Sequence, residues 1–418
     1  MNDKELYNQL LLIHMPWNVS EVKLDLANRE VTVLVEYAQD MPPQCPECNR
    51  SITVYDHVDR RWRHLDSCHC KTYVTAKVPR GNCPTHGVKQ VKVPWAEEKS
   101  RYTALFEAQV ILWLQETNIK AVSKMFRMSW TAVSGIMERA VERGMARRKQ
   151  TPIEQLGVDE TSYQKRHEYV TVLVDREEDK VVDILDDRKA EGLDAWFKTR
   201  EKKELERIKS ISMDMWDPYI KAVTNNVPGA EEKICFDRFH VAQHLGKGLD
   251  KVRAEEHAKL QRNGRESCLT KTRFQWLKNS SRIDNRSRLE FMELTRRNLK
   301  TSRAWAIKET ASQLWHYTYP EAARKAWMQL CGWISKCRLA AMISVGRMIR
   351  QYLWGILNAV IAKVNNSMLE AKNARIQKIK SQACGFRNRK RFKMAIMFNL
   401  GKLDLMPTNI SGLLYSTL

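Results

Sequence analysis

Asp159 and Glu160 close a short apolar run in "QLGVDETSYQKRHEYVTVLVD", residues 155–175, and a second apolar run begins at Tyr169. Carboxylates where a buried strand meets its loop suit phosphodiester chemistry. Acids from separate elements converge on divalent ions roughly 3.5–4 Å apart, which clamp the attacking and leaving oxygens. Partners for Asp159 must then come from elsewhere. Asp214 ends the run "SISMD", and Asp217 lies further on, where a loop or helix makes it the weaker candidate. The third acid is Glu370, alone in "NNSMLEAKNARIQKIKSQACGFRNRKRFK" (365–393) among Lys372, Arg375, Lys378, Lys380, Arg387 and Arg389. Such a helix makes sense if its cations hold DNA and its one acid holds a metal. A single Asp or Glu is ordinarily a solvated group or half of an ion pair. Only the set, in the right elements and order, carries the reading.

A second group has metal-ligand spacing. "CPEC" supplies Cys45 and Cys48, and "CPTH" supplies Cys83 and His86. Pairs two apart on tight knuckles can face one tetrahedral centre, and thiolate with imidazole suits Zn²⁺. The spacer exceeds that of common fingers. "SCHC" (Cys68, His69, Cys70) is a competing source, although residues one apart on a strand point to opposite faces. Four protein ligands leave no open position, so the centre is expected to be structural.

The elements that would position these groups follow from the apolar pattern. "VKLDLANREVTVLVEYA" (22–38) reads as a hairpin, and residues 104–147 turn helical. Within "NIKAVSKMFRMSWTAVSGIMERAV" (118–141), Ile119, Val122 and Phe126 face inward from one helix and Val133, Ile136 and Ala140 from the next, with Ser129 as N-cap. Trp130, Thr131, Ser134 and Arg139 are left on the outer face, which a helix-turn-helix would turn to the major groove. After Thr151-Pro152 come three strand-like runs, then helix, "SISMD", helix and "EKICFD", with helix almost throughout from about 239 to 400. That succession is the order of an α/β, ribonuclease-H-like core: an antiparallel meander extended by crossover strands.

The totals agree with a polyanion partner. The 418 residues carry 71 Lys+Arg against 49 Asp+Glu, a formal charge of +22. Neutralising phosphates with such a surplus releases counterions and drives binding to nucleic acid. No apolar stretch approaches the roughly 20 residues that span a bilayer, and the acid-bearing start does not read as a signal peptide. The 10 Cys are therefore expected to be thiols or metal ligands in a cytoplasmic chain.

With these residues assembled, the chain resembles the DDE transposases of the ISL-three insertion-sequence family. The resemblance rests on "CPEC…CPTH", the helix-turn-helix, "GVDETSY", "MDMWDPYIKAV", "FDRFHV" and "NNSMLEAKNARIQKIKSQACGFRN", nearly end to end. It implies a catalytic triad of Asp159, Asp214 and Glu370 holding Mg²⁺ (or Mn²⁺). Asp237 and His240 would support the site, and Asn373 would stand on the catalytic helix. Ala371 stands where the family usually has Gly, and His86 where a fourth Cys is more usual. The implied organisation is a β and zinc-ribbon-like module (1–100), a helix-turn-helix (101–150), the first part of the core (151–245), an all-helical insertion (246–350) and the second part of the core with its tail (351–418). That insertion holds Trp276, Trp305, Trp315, Trp327 and Trp333; core packing accounts for most of them, and one could stack on an unpaired base near a cleaved end. The implied activity is cleavage and joining at terminal inverted repeats, by a homodimer or larger assembly on element and target DNA in the bacterial nucleoid. A regulator binding DNA through a decayed core is the rival, and it predicts binding without Mg²⁺-dependent cutting. A nuclease that cuts without joining is a weaker one.

Overall fold

The computed structural model describes residues 2–408 apart from 165–167, 188, 264–265, 298 and 365–366. It divides into two compact units, Met1–Lys149 with Met397–Leu418, and Gln150–Ile396.

The first unit opens on the helix Asp3–Leu10, followed by the expected hairpin, β1 (Trp17–Asp25) and β2 (Glu30–Tyr37). A longer hairpin follows, β3 (Thr53–Ser67) and β4 (Cys70–Cys83), and a short β5 (Gly87–Gln90). The order is β1-β2-β4-β3, with β5 also on β4. Alternation buries Val31, Val33 and Val35 of β2 and Val74, Ala76 and Val78 of β4. Trp95 closes this core, packing edge-on against Trp17 (ring centroids 5.0 Å) and Trp62 (5.4 Å). Three further helices follow the sheet: Ala104–Glu116, Ile119–Met125 and Trp130–Arg147. Thr103, Asn118 and Ser129 cap their first turns. Residues beyond 397 belong with this unit and not with the core expected from sequence. Arg147 donates to the Met406 carbonyl (2.6 Å) and pairs with Asp404 (3.0 Å).

The second unit holds a sheet of β6 (Gln155–Gln164), β7 (Glu168–Asp175), β8 (Lys180–Leu185), β9 (Ser210–Met213) and β10 (Ile234–Phe236). Across the sheet the order is β8-β7-β6-β9-β10. The first three strands form an antiparallel meander, while β9 runs parallel to β6 and β10 parallel to β9. Every residue of β9 and β10 is buried, as crossover helices covering both faces require. Residues 246–350 are helical as expected, but they are not a separate body. One apolar core runs from Leu156 and Phe236 to Trp276, Trp327 and Ile356. The helix Arg238–Arg262 also crosses the expected 245/246 boundary without a break. Trp276 and Trp327 are fully buried, Trp305 and Trp315 pack against the same core, and Trp333 is exposed. No helix among the described residues is long and apolar enough to cross a membrane.

Candidate functional site

Strand register lines up three acids. Gly157 of β6 pairs with Ser212 of β9, so Asp159 and Asp214, each two residues on, come level. Phe236 of β10 pairs with Met213, which brings Asp237 level with Asp214. Asp214 and Asp237 therefore stand just past the carboxyl ends of β9 and β10, where open α/β sheets place their ligand sites, and Asp159 faces them from the middle of β6, just beyond its pairing with β9. Asp237 is also the N-cap of the helix Arg238–Arg262, accepting from the Phe239 N–H at 2.8 Å. One turn in, His240 sets its Nδ1 2.6 Å from Asp214 Oδ1 and 3.0 Å from Asp237 Oδ2. Burial alone would lower the imidazole pKa, but hydrogen bonds to the two carboxylates push it up to about 10. The position between Asp214 and Asp237 thus favours the protonated form of His240. Asp214, Asp237 and His240 have ligand atoms within 4.8 Å of one another.

Asp159 differs in its electrostatics. Burial, and then the charge of Asp214, raise its carboxyl to about 7. The group would keep a proton near neutrality unless a cation displaced it. One oxygen accepts from the Glu160 amide (2.7 Å) and the other from Asn373 Nδ2 (2.5 Å). Asn373 belongs to the helix Ser367–Gln382, which lies along β6: Gln377 donates to Thr161 Oγ1 (3.1 Å) and Lys380 to the Ser162 carbonyl (2.8 Å). A side chain at Gly157 would meet Leu369, its Cβ coming within 2.6 Å of Leu369 Cδ2, so the glycine permits this close approach. The structure therefore brings Asp159, Asp214, Asp237, His240 and Asn373 into one neighbourhood. Glu370, one turn before Asn373 on the same helix, is exposed. Asp217 is engaged elsewhere, accepting from the Tyr352 hydroxyl at 2.9 Å.

In the first unit Cys45, Cys48, Cys83 and His86 have ligand atoms within 4.8 Å of one another. Cys48 and Cys83 sulfurs are 3.8 Å apart, and His86 Nδ1 is 3.6 Å from Cys45 and from Cys83. Zn–S bonds of about 2.3 Å give tetrahedral S···S edges of roughly 3.8 Å, so the set fits zinc. Desolvation would raise the Cys83 thiol, but amides of Thr85 and His86 and the His86 ring bring it down to about 6, favouring the thiolate. His86 Nε2 lies 3.5 Å from Glu47, which also binds Lys89 (2.5 Å) and so fixes the ring from outside. The competing Cys68 and His69 form the turn between β3 and β4 in left-handed conformations, apart from this group.

The helices Ile119–Met125 and Trp130–Arg147 meet as the sequence predicts, with Val122, Val133, Ile136 and Ala140 buried. Trp130 and Thr131 are exposed and Ser134 half-buried. Arg139 departs from its expected outer position. Its guanidinium pairs with Glu107, which is 1% exposed inside the helix Ala104–Glu116. A buried carboxylate needs counter-charge, and Arg143 is its second partner at 3.3 Å.

Comparison with known proteins follows the same three-part order. The profile of the ISL3 DDE domain, described as "Transposase", matches residues 156–396. The helix-turn-helix domain of transposase family ISL3 matches 91–141, and the zinc-finger of transposase IS204/IS1001/IS1096/IS1165 matches 41–86. The chain belongs to the ISL3 transposase family. Similar proteins include the transposase for insertion sequence element IS1557 of Mycobacterium tuberculosis, 26% identical over 373 residues, covering 82% of this chain and 83% of that protein. The transposase for insertion sequence element IS1001 of Bordetella parapertussis is 27% identical over 358 residues, covering 84% and 87%.

As an ISL3 transposase the chain is a DNA-binding, DNA-processing enzyme, and its basic residues divide into two groups. Arg375, Lys378 and Arg387 are exposed. Lys372 is not a surface cation: it is 4% exposed and held by Asp179, at 2.8 Å to the carbonyl and 3.0 Å to the carboxylate. Lys380 is tied to the Ser162 backbone, and Arg389 pairs with Glu168 at 3.5 Å. The transposase residues that sequence reasoning passed over are Glu47 beside the zinc ligands and Gln377 against β6. No motif marks them. Helical spacing from Asn373 was the one available signal for Gln377.

Proposed function

We propose that this transposase cuts and joins DNA at the terminal inverted repeats of its insertion sequence, on a ribonuclease-H-like core. The observation that carries the reading is the level placement of Asp159, Asp214 and Asp237 on β6, β9 and β10, with Asn373 bonded to Asp159. The strand order, with the antiparallel meander on one side and two parallel strands on the other, supports the same core. Crowded carboxylates, with the proton affinity of Asp159 raised, are the oxygen donor set that hard cations favour. Asp159 and Asp214 would hold Mg²⁺ or Mn²⁺, with Glu370 joining from the helix that Asn373 anchors. When bound, the ions would supply Lewis-acid stabilisation of the phosphoryl oxygens and a more acidic water. His240 holds the Asp214 and Asp237 carboxylates in place, and Asn373 fixes the rotamer of Asp159. Trp130, Thr131 and Ser134 would face the major groove, and Arg375, Lys378 and Arg387 would hold flanking phosphates. Joining two ends in one reaction implies at least a homodimer on nucleoid DNA.

The test is incubation of duplexes carrying the element's ends with Mg²⁺, comparing the native chain with Asp159→Ala, Asp214→Ala and Glu370→Ala. Cutting and joining by the native chain alone is the expected result. Cutting retained in all three variants would overturn the assignment, and specific binding without any cutting would favour the regulator.

A further inference from the structure

We infer that the turn Cys68–His69, at the tip of the β3–β4 hairpin, is a second DNA contact, laid on the phosphate backbone beside the major-groove site of the helix Trp130–Arg147. This rests on the reading of that helix as the groove-facing one. Within the first unit, the hairpin tip is fastened to the turn of the helix-turn-helix. Asp66, two residues before the tip, pairs with Arg63 on its own strand and with Arg127. Arg127 lies in the turn between the helices Ile119–Met125 and Trp130–Arg147, and it also donates to the His69 carbonyl at 3.1 Å. Below the tip, Ser67 Oγ accepts from the hydroxyls of Tyr7 (2.9 Å) and Thr72 (2.9 Å). The tip is thus clamped three residues before Trp130 opens the second helix, and Cys68 and His69 are both exposed.

The turn is also made of residues that stability alone would not select. Ser67 pairs with Cys70, so Cys68 and His69 are the two central residues of a tight hairpin turn, at φ +48° and +66°. Such turns favour Asn-Gly or Asp-Gly, because most side chains are strained at positive φ. Cysteine and histidine here give up stability for two side chains that stand in solvent. Asp66 does not repel an anion, since two guanidiniums already neutralise it. An imidazole N–H at the tip suits a phosphate oxygen, a contact that positions a protein on the duplex without reading sequence. The occupant is therefore the backbone flanking the groove that the second helix enters, and the hairpin serves as a wing.

The experiment is binding of the full chain to duplexes carrying the element's ends and to unrelated duplexes, with hydroxyl-radical footprints and thermal melts of each variant. The double variant Cys68→Asn, His69→Gly installs the favoured turn and should melt at a higher temperature than the native chain. It should nevertheless bind both kinds of duplex about 10-fold more weakly, as for one lost hydrogen bond to a charged group. Its footprint should lose a backbone patch beside the groove site and keep the rest. His69→Lys keeps a donor for phosphate and should bind like the native chain. Thr131→Ala, on the helix itself, should instead reduce the preference for end over unrelated duplex. Native-like binding by the double variant, an unchanged footprint, or weaker binding accompanied by a lower melting temperature would overturn the inference, while a native preference for end DNA leaves the helix-turn-helix reading intact. A native chain without that preference would remove the helix-turn-helix reading itself.

Discussion

Two clusters of ligand-type side chains in this transposase are built on opposite plans. Cys45, Cys48, Cys83 and His86 come from two tight turns, and the separations of their ligand atoms suit the corners of one tetrahedron. The acids come from β6, from the residues following β9 and β10, and from a distant helix, and Glu370 remains exposed. The first group is closed and can only stabilise. The second is open, carries like charges at close range, and is restrained by His240 and Asn373 without being saturated. A closed set contributes to folding, whereas an open set leaves room for substrate oxygens.

That contrast predicts readouts that cross. Removing zinc with a chelator, or making Cys83→Ser, should have the largest effect. Metal binding at such centres is worth on the order of 10 kcal/mol, so the first unit should lose its cooperative melting transition by calorimetry. The acid cluster should show the converse. Asp214→Ala should cut DNA ends on the order of 10⁴-fold more slowly with little change in Tm, measured by single-turnover assay and thermal melt together. If Asp214→Ala unfolds the chain, or zinc loss leaves melting unchanged, the distinction between the two plans fails.

A third test lies beside the zinc module. Glu107→Ala leaves the Arg139 guanidinium without its acid, while Arg143 keeps Glu97, and should cost about 3–5 kcal/mol in chemical denaturation. The smallest effect concerns pH. Burial, and then the charge of Arg63, lower His64 to about 4, and its Nδ1 is 2.8 Å from the Thr103 hydroxyl. The native state holds this imidazole neutral, so between pH 6.5 and 4 the unfolded chain binds the extra proton. Stability from this residue is complete above 6.5 and falls by about 3 kcal/mol as pH drops toward 4. Denaturation midpoints should fall less steeply with acid in His64→Gln than in the native chain.

Legibility in the sequence followed the same division. CPEC and CPTH announce their centre because their ligands are local, and the five strands of the second unit are short apolar runs bounded by turns. β3 was missed because it is an edge strand whose Asp56, Asp59, Arg60 and Arg61 look like a loop. The apolar stripe alone puts Arg139 on the outer face. The missed signal was Glu107, an acid inside the otherwise apolar "ALFEAQVILWL". Lys372 falls between buried Leu369 and Ile376 at helical spacing, so its position reads as inward although its charge reads as outward. The alignment of Asp237 with Asp214 depends on β9–β10 register, which only the folded sheet fixes. Family resemblance marks Asp237 and His240 in the sequence, and spacing alone does not.

The most direct test of the central claim, that these acids grip divalent ions during catalysis, is a change of metal preference. Asp214→Cys replaces a hard oxygen with a soft sulfur, which binds Mg²⁺ poorly and Mn²⁺ better. The account predicts that this variant fails to cut end DNA in Mg²⁺ and regains cutting in Mn²⁺, while the native chain works in both. Full activity of Asp214→Cys in Mg²⁺, or no recovery in Mn²⁺ from a folded, DNA-bound variant, would contradict it.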